Sequence, residues 1–83
     1  MSQSLRVRIP LERVGVLIGP KGSVKAEIEK HLKVKLQIDS ETGEVEIFST
    51  PEMEDPSLLL KAQSIVLAIG RGFSPQRAFK LLD

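Results

Sequence analysis

A chain of 83 residues can hold one modest core, because folded chains of this size bury only about 60% of their unfolded surface. It has no cysteine and a single histidine, His31, which excludes disulfides and thiolate metal sites and predicts no metal or other cofactor. No apolar run approaches the roughly 18 residues needed to span a membrane, and the N-terminus does not resemble a signal peptide. We therefore expect a cytoplasmic protein without a membrane partner.

Charge is distributed unevenly along the chain, although the net charge is only +1. Residues 1–38 hold eight Lys or Arg against three Glu, a net charge of +5. Residues 39–83 hold four Lys or Arg against eight Asp or Glu, a net charge of −4. A polyanion would be attracted by the first half and repelled by the second. The pattern predicts that nucleic acid binds on one face only.

The first two elements are predicted from a change in the period of the apolar residues. Leu5–Ile9 alternates apolar and charged residues, which is typical of a strand with one buried face, and Pro10 ends it. From Leu11 onward the spacing is helical and stops at Gly19, since glycine tolerates the positive φ found at helix C-termini. A strand followed by a short helix is the prediction.

The next segment reads as a helix followed by a hairpin. The second helix begins at Gly22 or Ser23, and its apolar residues recur every four positions. Lys33–Asp39 and Glu44–Ser49 each alternate with period two, and the polar turn between them joins two adjacent strands.

Two start signals define the helices of the C-terminal part. Asp55 before Pro56 combines a capping carboxylate with proline at the first helical position, and the helix that follows ends near Gly70. Ser74-Pro75 repeats the signal for a last short helix. The predicted order is β-α-α-β-β-α, plus a short C-terminal helix.

The link between the first two helices is Gly19-Pro20-Lys21-Gly22. A G-x-x-G link in this element order resembles the type I KH domain, an α+β fold in which a three-stranded antiparallel sheet is backed by helices. The resemblance implies a KH domain over residues 1–72 and a helical tail over residues 73–83. It also implies binding of single-stranded RNA, because the loop of KH domains clamps the backbone of about four nucleotides.

Three segments carry a narrower resemblance: Arg13–Gly22, Ala68–Pro75 and Ala78–Leu82. They are similar to the archaeal relatives of the eukaryotic partner-of-Nob-one protein, a family that assists maturation of the small ribosomal subunit. The resemblance implies rRNA near its 3′ end as the ligand, and ribosome-assembly or translation-initiation proteins as partners. It also implies a tandem arrangement of which this chain is the first half.

The resemblance assigns a role to each residue of the loop. Gly19 and Gly22 allow close approach to phosphate, Pro20 stiffens the loop, and Lys21 contacts phosphate directly. Free amides at the start of the second helix favour negative charge there. Lys25, at a position that is often aliphatic in KH domains, would reach the same backbone. Apolar candidates for the floor and walls on which bases lie are Val14, Ile18, Ile28, Leu36 and Ile38.

Outward strand positions offer a second basic surface, formed by Arg6, Arg8, Lys33 and Lys35. A third strand at the centre of the sheet would place Glu44 and Glu46 between these cations. Opposite charges on neighbouring strands stabilise a sheet, so we interpret this face as neutralised and solvated rather than as an RNA site. Phe48 falls on the same face without an assigned role.

An enzyme and a protein-docking module are the competing functions. Lys21-Gly22-Ser23 has the wrong order for a phosphate-binding P-loop, and no nucleophile, base and acid can be grouped, so we predict no catalytic residues. Protein docking would suit Phe48 and the acidic second half. The basic loop favours RNA binding in small-subunit rRNA maturation, with protein docking as the alternative.

Overall fold

The computed structural model describes residues 3–82, without the side chain of Leu82, so the predicted tail ends one residue beyond the described part. The strands and helices are, in chain order, β1 Ser4–Arg8, α1 Leu11–Ile18, α2 Ser23–Leu32, β2 Val34–Ile38, β3 Glu44–Ser49, α3 Ser57–Gly70 and α4 Pro75–Phe79. Single 3-10 turns lie at Pro20–Gly22 and Lys80–Leu82. This is the predicted order.

The three strands form one antiparallel sheet in the order β1-β3-β2. Its register pairs Val7 with Val45 across β1 and β3, and Leu36 with Ile47 across β2 and β3. Because side chains alternate along a strand, the apolar residues that β1, β2 and β3 turn toward the core share one face, on which the helices pack. Strand β2 is left at an edge, next to helix α2.

The core lies between the sheet and helices α1, α2 and α3. Its buried apolar residues are Ile9, Val14, Leu17, Ile28, Leu32, Val34, Leu36, Val45, Ile47, Leu59, Ala62, Ile65, Val66, Ala68, Ile69 and Ala78. Gly70 lets α3 approach the end of β1, since a Cβ there would lie 2.6 Å from Cγ2 of Ile9. Close packing at this point fixes α3, and with it the tail, against the sheet.

Both predicted helix starts are confirmed in their hydrogen bonds. Oδ1 of Asp55 accepts the N–H of Ser57 at 3.0 Å at the beginning of α3, and these hydrogen bonds hold the pKa of Asp55 below its ordinary value. Oγ of Ser74 accepts the N–H of Arg77 at 3.3 Å at the beginning of α4. Helix α3 is therefore capped at its N-terminus, and it packs against α4.

Candidate nucleic-acid interface

The predicted loop connects α1 to α2 as a tight turn with a glycine at each end. Gly19 has φ 76° and Gly22 has φ 76°, both in the left-handed region that residues with a Cβ disfavour. A Cβ on Gly19 would also lie 2.5 Å from Cγ2 of Val24, whereas one on Gly22 would meet nothing within 4 Å. Gly19 thus serves the close approach of α1 to α2, and the space at Gly22 is open to a ligand.

Lys21, between these glycines, also has a left-handed backbone, with φ 55° and ψ 27°. For a residue with a Cβ this conformation costs about 1–2 kcal/mol. Lys21 and Pro20 are both exposed, so the strained backbone does not serve to pack the lysine side chain inside the protein. Strain of this kind tends to lie at ligand-binding positions, where the backbone aims a side chain.

The amides of the loop are more engaged than the sequence analysis expected. The N–H of Gly22 donates to the carbonyl of Gly19 at 3.1 Å, and the N–H of Ser23 donates to the carbonyl of Pro20. These two amides are therefore not free to bind a phosphate. The positive charge of Lys21 and the dipole of the ten-residue helix α2 remain as the attractive groups for an anion at this turn.

Lys25 and Glu29 follow Gly22 along one side of α2, at the spacing that places residues on the same helix face. Oε2 of Glu29 accepts the N–H of Leu36 at 2.9 Å, which ties this side of α2 to the edge strand β2. The N–H groups of an antiparallel edge strand alternate in direction, so the N–H of Ile38 also points away from β3. This hydrogen bond of Glu29 could not be predicted from the sequence, because its partner lies on another element.

The predicted aliphatic floor needs correction. Val14, Ile28 and Leu36 are each at most 5% exposed and belong to the core, so no base can rest on them directly. Ile18 and Ile38 are partly exposed while packing against that core. The predicted floor is therefore reduced to Ile18, beside the loop, and Ile38, on β2, with the three buried residues beneath it. Helical and strand periodicity identify apolar faces but do not separate a buried layer from an accessible one.

The outer face of the sheet is neutralised along β1, as expected. Arg6 lies 3.4 Å from Glu46 and 3.8 Å from Glu44, and Arg8 lies 3.9 Å from Glu44. Of the other two cations, Lys35 lies on the outer face of β2 as expected, and its partner across the strands is Phe48.

The fourth cation, Lys33, lies outside the strands. It ends α2 in a left-handed conformation, with φ 55° and ψ 44°, and therefore does not take part in the sheet. Of the four cations considered from the sequence, Lys33 is therefore the one that does not belong to the outer sheet face.

Arg13 joins α1 to the C-terminal end of α3. Its Nε donates to the carbonyl of Ile69 at 2.8 Å, and its Nη2 donates to the carbonyl of Phe73 at 2.9 Å. A cation at this end of a helix is also favoured by the helix dipole. Sequence reasoning missed this role, because the acceptor carbonyls lie 56 and 60 residues away in the chain.

Two negative findings apply to the described part of the chain. Within residues 3–82, no three or more His, Cys, Asp or Glu side chains are grouped so as to hold a metal ion. None of the helices in the same range has the length and apolarity to cross a membrane.

Comparison with known proteins finds relatives that are about two to three times as long as this chain. A KH domain-containing protein of Methanocaldococcus jannaschii is 55% identical over 77 residues, which cover 93% of this chain and 34% of that protein. Dim2p from Pyrococcus horikoshii OT3 is 63% identical, with a TM-score of 0.96 over 98% of this chain and 49% of its own.

Two further solved structures have the same fold. A chain in the a/eIF2alpha–aDim2p–rRNA complex of Pyrococcus horikoshii OT3 is 62% identical, with a TM-score of 0.96 over 99% of this chain and 46% of its own. A protein of unknown function from Aeropyrum pernix is 38% identical, with a TM-score of 0.93 over all of this chain and 44% of its own. The family model of the KH domain matches residues 4–62, which is well over half of the chain. The chain therefore belongs to the KH domain family, and its fold is the type I KH fold expected from the sequence.

Proposed function

We propose that this chain binds single-stranded RNA in the maturation of small-subunit rRNA, as the first KH domain of an archaeal relative of the partner-of-Nob-one protein. The observation that carries the proposal is the loop itself. An exposed lysine, Lys21, is held in a strained left-handed backbone between Gly19 and Gly22. The role is one of binding, without catalysis or a cofactor, in the cytoplasm.

The loop would hold the phosphates and the adjoining surface would hold the bases. Lys21 contacts phosphate, Gly22 leaves room for the backbone, and Lys25 adds a second cation one helical turn away. Bases then lie toward Ile18 and Ile38, whose side chains remain partly accessible. The small area of this apolar surface favours holding a few nucleotides over wrapping a long strand.

The similarity to Dim2p supports the choice of rRNA as the ligand, since one similar structure contains aDim2p together with rRNA. The segment near the 3′ end of the small-subunit rRNA is the target that we propose for this chain. This chain matches less than half the length of those proteins, and we propose that the remaining part of such a protein shares the RNA contact.

Docking to a translation-initiation or ribosome-assembly protein is the second candidate function. It is supported by the presence of a/eIF2alpha in the complex that contains aDim2p. The two functions are compatible if protein and RNA occupy different surfaces.

The test of RNA binding replaces both exposed residues of the loop, Pro20→Asp and Lys21→Asp, and measures affinity for short single-stranded RNA from the rRNA 3′ region. We expect binding to be lost while the circular dichroism spectrum and Tm remain close to those of the wild type, because neither side chain packs in the core. Lys61→Asp, an exposed change on α3, is the matched control and should retain affinity. Unchanged binding by the loop variant would rule out the clamp.

A further inference from the structure

The turn that ends helix α3 has a backbone fixed by hydrogen bonds and carries an exposed aromatic residue. The N–H of Gly72 donates to the carbonyl of Ile69 at 3.1 Å, and the N–H of Phe73 donates to the carbonyl of Ala68 at 3.0 Å. This is the Schellman arrangement, and Gly72 supplies the left-handed residue that it needs, with φ 111°. Phe73 follows this turn and remains 48% exposed.

The backbone of this aromatic residue is also held from the side of α1. Both hydrogen bonds of the Arg13 guanidinium end on this turn, one of them on the carbonyl of Phe73 itself. Because α1 leads directly into the Gly19–Gly22 loop, the turn and the loop belong to one rigid framework. An exposed aromatic residue on a fixed backbone is well suited to stacking, since little further ordering is needed on binding.

The end of α3 and the tail together reverse the charge of the second half of the chain. Residues 69–83 contain three basic residues and one acidic residue, Asp83, although residues 39–83 together carry a net charge of −4. Arg71, Arg77 and Lys80 are all exposed. We call Arg71, Phe73 and Arg77 the tail patch. It combines an exposed ring with two cations, the composition that binds single-stranded nucleic acid without sequence preference.

The short helix α4, which carries Arg77, lies beside the start of the loop-bearing helix α2. A shallow groove of about 290 Å³ separates the first turns of α2 and α4, with Ser23 and Val24 on one wall and Pro75 and Gln76 on the other. The acidic residue of this groove is Glu27, whose Oε2 lies 2.8 Å from Nε2 of His31. On α2 this groove lies on the opposite flank from Lys25 and Glu29, and the two flanks meet at the loop.

We propose that the tail patch is a second contact for the same single-stranded RNA, in which a base stacks on Phe73 and phosphates bind Arg71 and Arg77. The inference rests on the proposed RNA-binding function and extends the RNA path beyond the nucleotides held at the loop. An RNA occupant is favoured over a protein because three cations, Arg71, Arg77 and Lys80, outnumber the single acid of residues 69–83. Arg13 ties this turn to α1, and α4 borders the same groove as α2, so the patch lies on elements that adjoin the loop, which favours the same ligand.

The experiment compares variants on RNA pools of four and of eight nucleotides with randomised sequence, followed by fluorescence anisotropy. Phe73→Leu keeps an apolar side chain at the turn but removes the stacking face, whereas Phe73→Trp retains it. Loss of one stacked base should weaken binding of the eight-nucleotide pool by about 5- to 150-fold and leave the four-nucleotide pool unchanged. Phe73→Trp should restore affinity. A longer RNA offers more positions at which the loop can bind, which raises the apparent affinity of every variant equally. Comparing variants on the same pool removes this effect.

Two controls and a charge variant complete the test. Leu60→Ala changes an apolar side chain that is 58% exposed on α3, and Lys61→Gln removes a cation beside it; neither should alter binding of either pool. Arg71→Gln with Arg77→Gln should make the salt dependence of log affinity for the longer RNA shallower by about 1.4, since each phosphate contact contributes about 0.7.

The outcomes separate this inference from the proposed function. If Phe73→Leu and the double arginine variant bind both pools as the wild type does, the tail patch is not an RNA contact, while RNA binding at the loop stands. A protein-docking role for the patch would then be favoured. If the wild type binds neither pool, the proposed function and this inference are both overturned. A loss confined to the longer pool supports the inference.

Discussion

Lys21 combines a side chain that is proposed to contact phosphate with an unfavourable backbone conformation. A substitution can separate the effect of the side chain on RNA binding from the effect of the backbone on stability. Lys21→Gly should relieve the left-handed strain, worth about 1–2 kcal/mol, but glycine loses more conformational entropy on folding. We expect the free energy of unfolding in urea to rise by up to about 1 kcal/mol while RNA affinity falls. Lys33→Gly is the matched control, because Lys33 has the same φ of 55° at the far end of α2. It should stabilise the fold without weakening RNA binding.

Arg13 should stabilise the molecule through its paired hydrogen bonds. Arg13→Lys keeps the charge but offers one ammonium group in place of the fork that reaches two carbonyls. Hydrogen bonds from charged groups contribute about 1.5–3 kcal/mol each, so the loss of one should lower the free energy of unfolding by about that amount. Arg8→Lys, on the exposed sheet face, should change it by less than about 0.5 kcal/mol. Equal effects of the two substitutions would contradict the proposed role of Arg13.

The loop was recognisable from sequence at the residue scale because glycine marks special backbone geometry without reference to the rest of the fold. Gly19 and Gly22 both have the positive φ that such a turn requires. The left-handed backbone of Lys21 and the hydrogen bonds of Arg13 could not be predicted in this way. The first depends on the two helices that the loop joins, and the second on carbonyls from the end of α3.

At the scale of the elements, the outer sheet face should depend on its alternation of charge. Glu46→Lys would place a cation opposite Arg6, where the present pair is 3.4 Å apart. Like charges on neighbouring strands are unfavourable, so we expect the free energy of unfolding to fall by up to about 1 kcal/mol at low salt and by less in high salt. RNA affinity should not change. Glu41→Lys, in the exposed turn before β3, is the control. A large increase in RNA affinity for Glu46→Lys alone would show that the sheet face binds RNA.

The elements themselves were predicted because their apolar periods and start signals are local. Glu44–Ser49 is a strand with the predicted bounds, and Asp55 and Ser74 cap the helices that follow them. The pairing between elements is not local. That Lys35 lies opposite Phe48 could not be predicted, because the register depends on how the hairpin closes. Leu36 was taken for groove surface although it is 2% exposed, because an apolar period does not show which residues other elements cover.

At the scale of the whole molecule, charge is organised by surface rather than by halves of the sequence. The cations Lys21 and Lys25 lie at the loop and on the helix that follows it. Two further exposed cations, Arg71 after α3 and Arg77 on α4, belong to the acidic half of the sequence. Acidic side chains on the sheet are paired with arginines of β1. The net charge of +1 therefore gives no indication of where a polyanion would bind.

The size of the loop surface predicts weak binding by this chain alone. A clamp for about four nucleotides makes few contacts to offset the ordering of a flexible strand, so we expect a Kd in the micromolar range or higher for a four-nucleotide RNA. Relatives of this chain are about two to three times as long, and a second RNA contact in their remaining part would act at high effective concentration.

Joining this chain to the remaining half of the Pyrococcus horikoshii Dim2p relative should therefore raise affinity for a long RNA by about 10²-fold, without a comparable change for a four-nucleotide RNA. Isothermal titration with RNAs of increasing length measures the effect directly. The control is the same fusion with Pro20→Asp and Lys21→Asp, in which the advantage of the long RNA should disappear because one of the two contacts is lost. Nanomolar binding of a four-nucleotide RNA by the isolated chain would contradict the prediction, since the loop would then need no second contact.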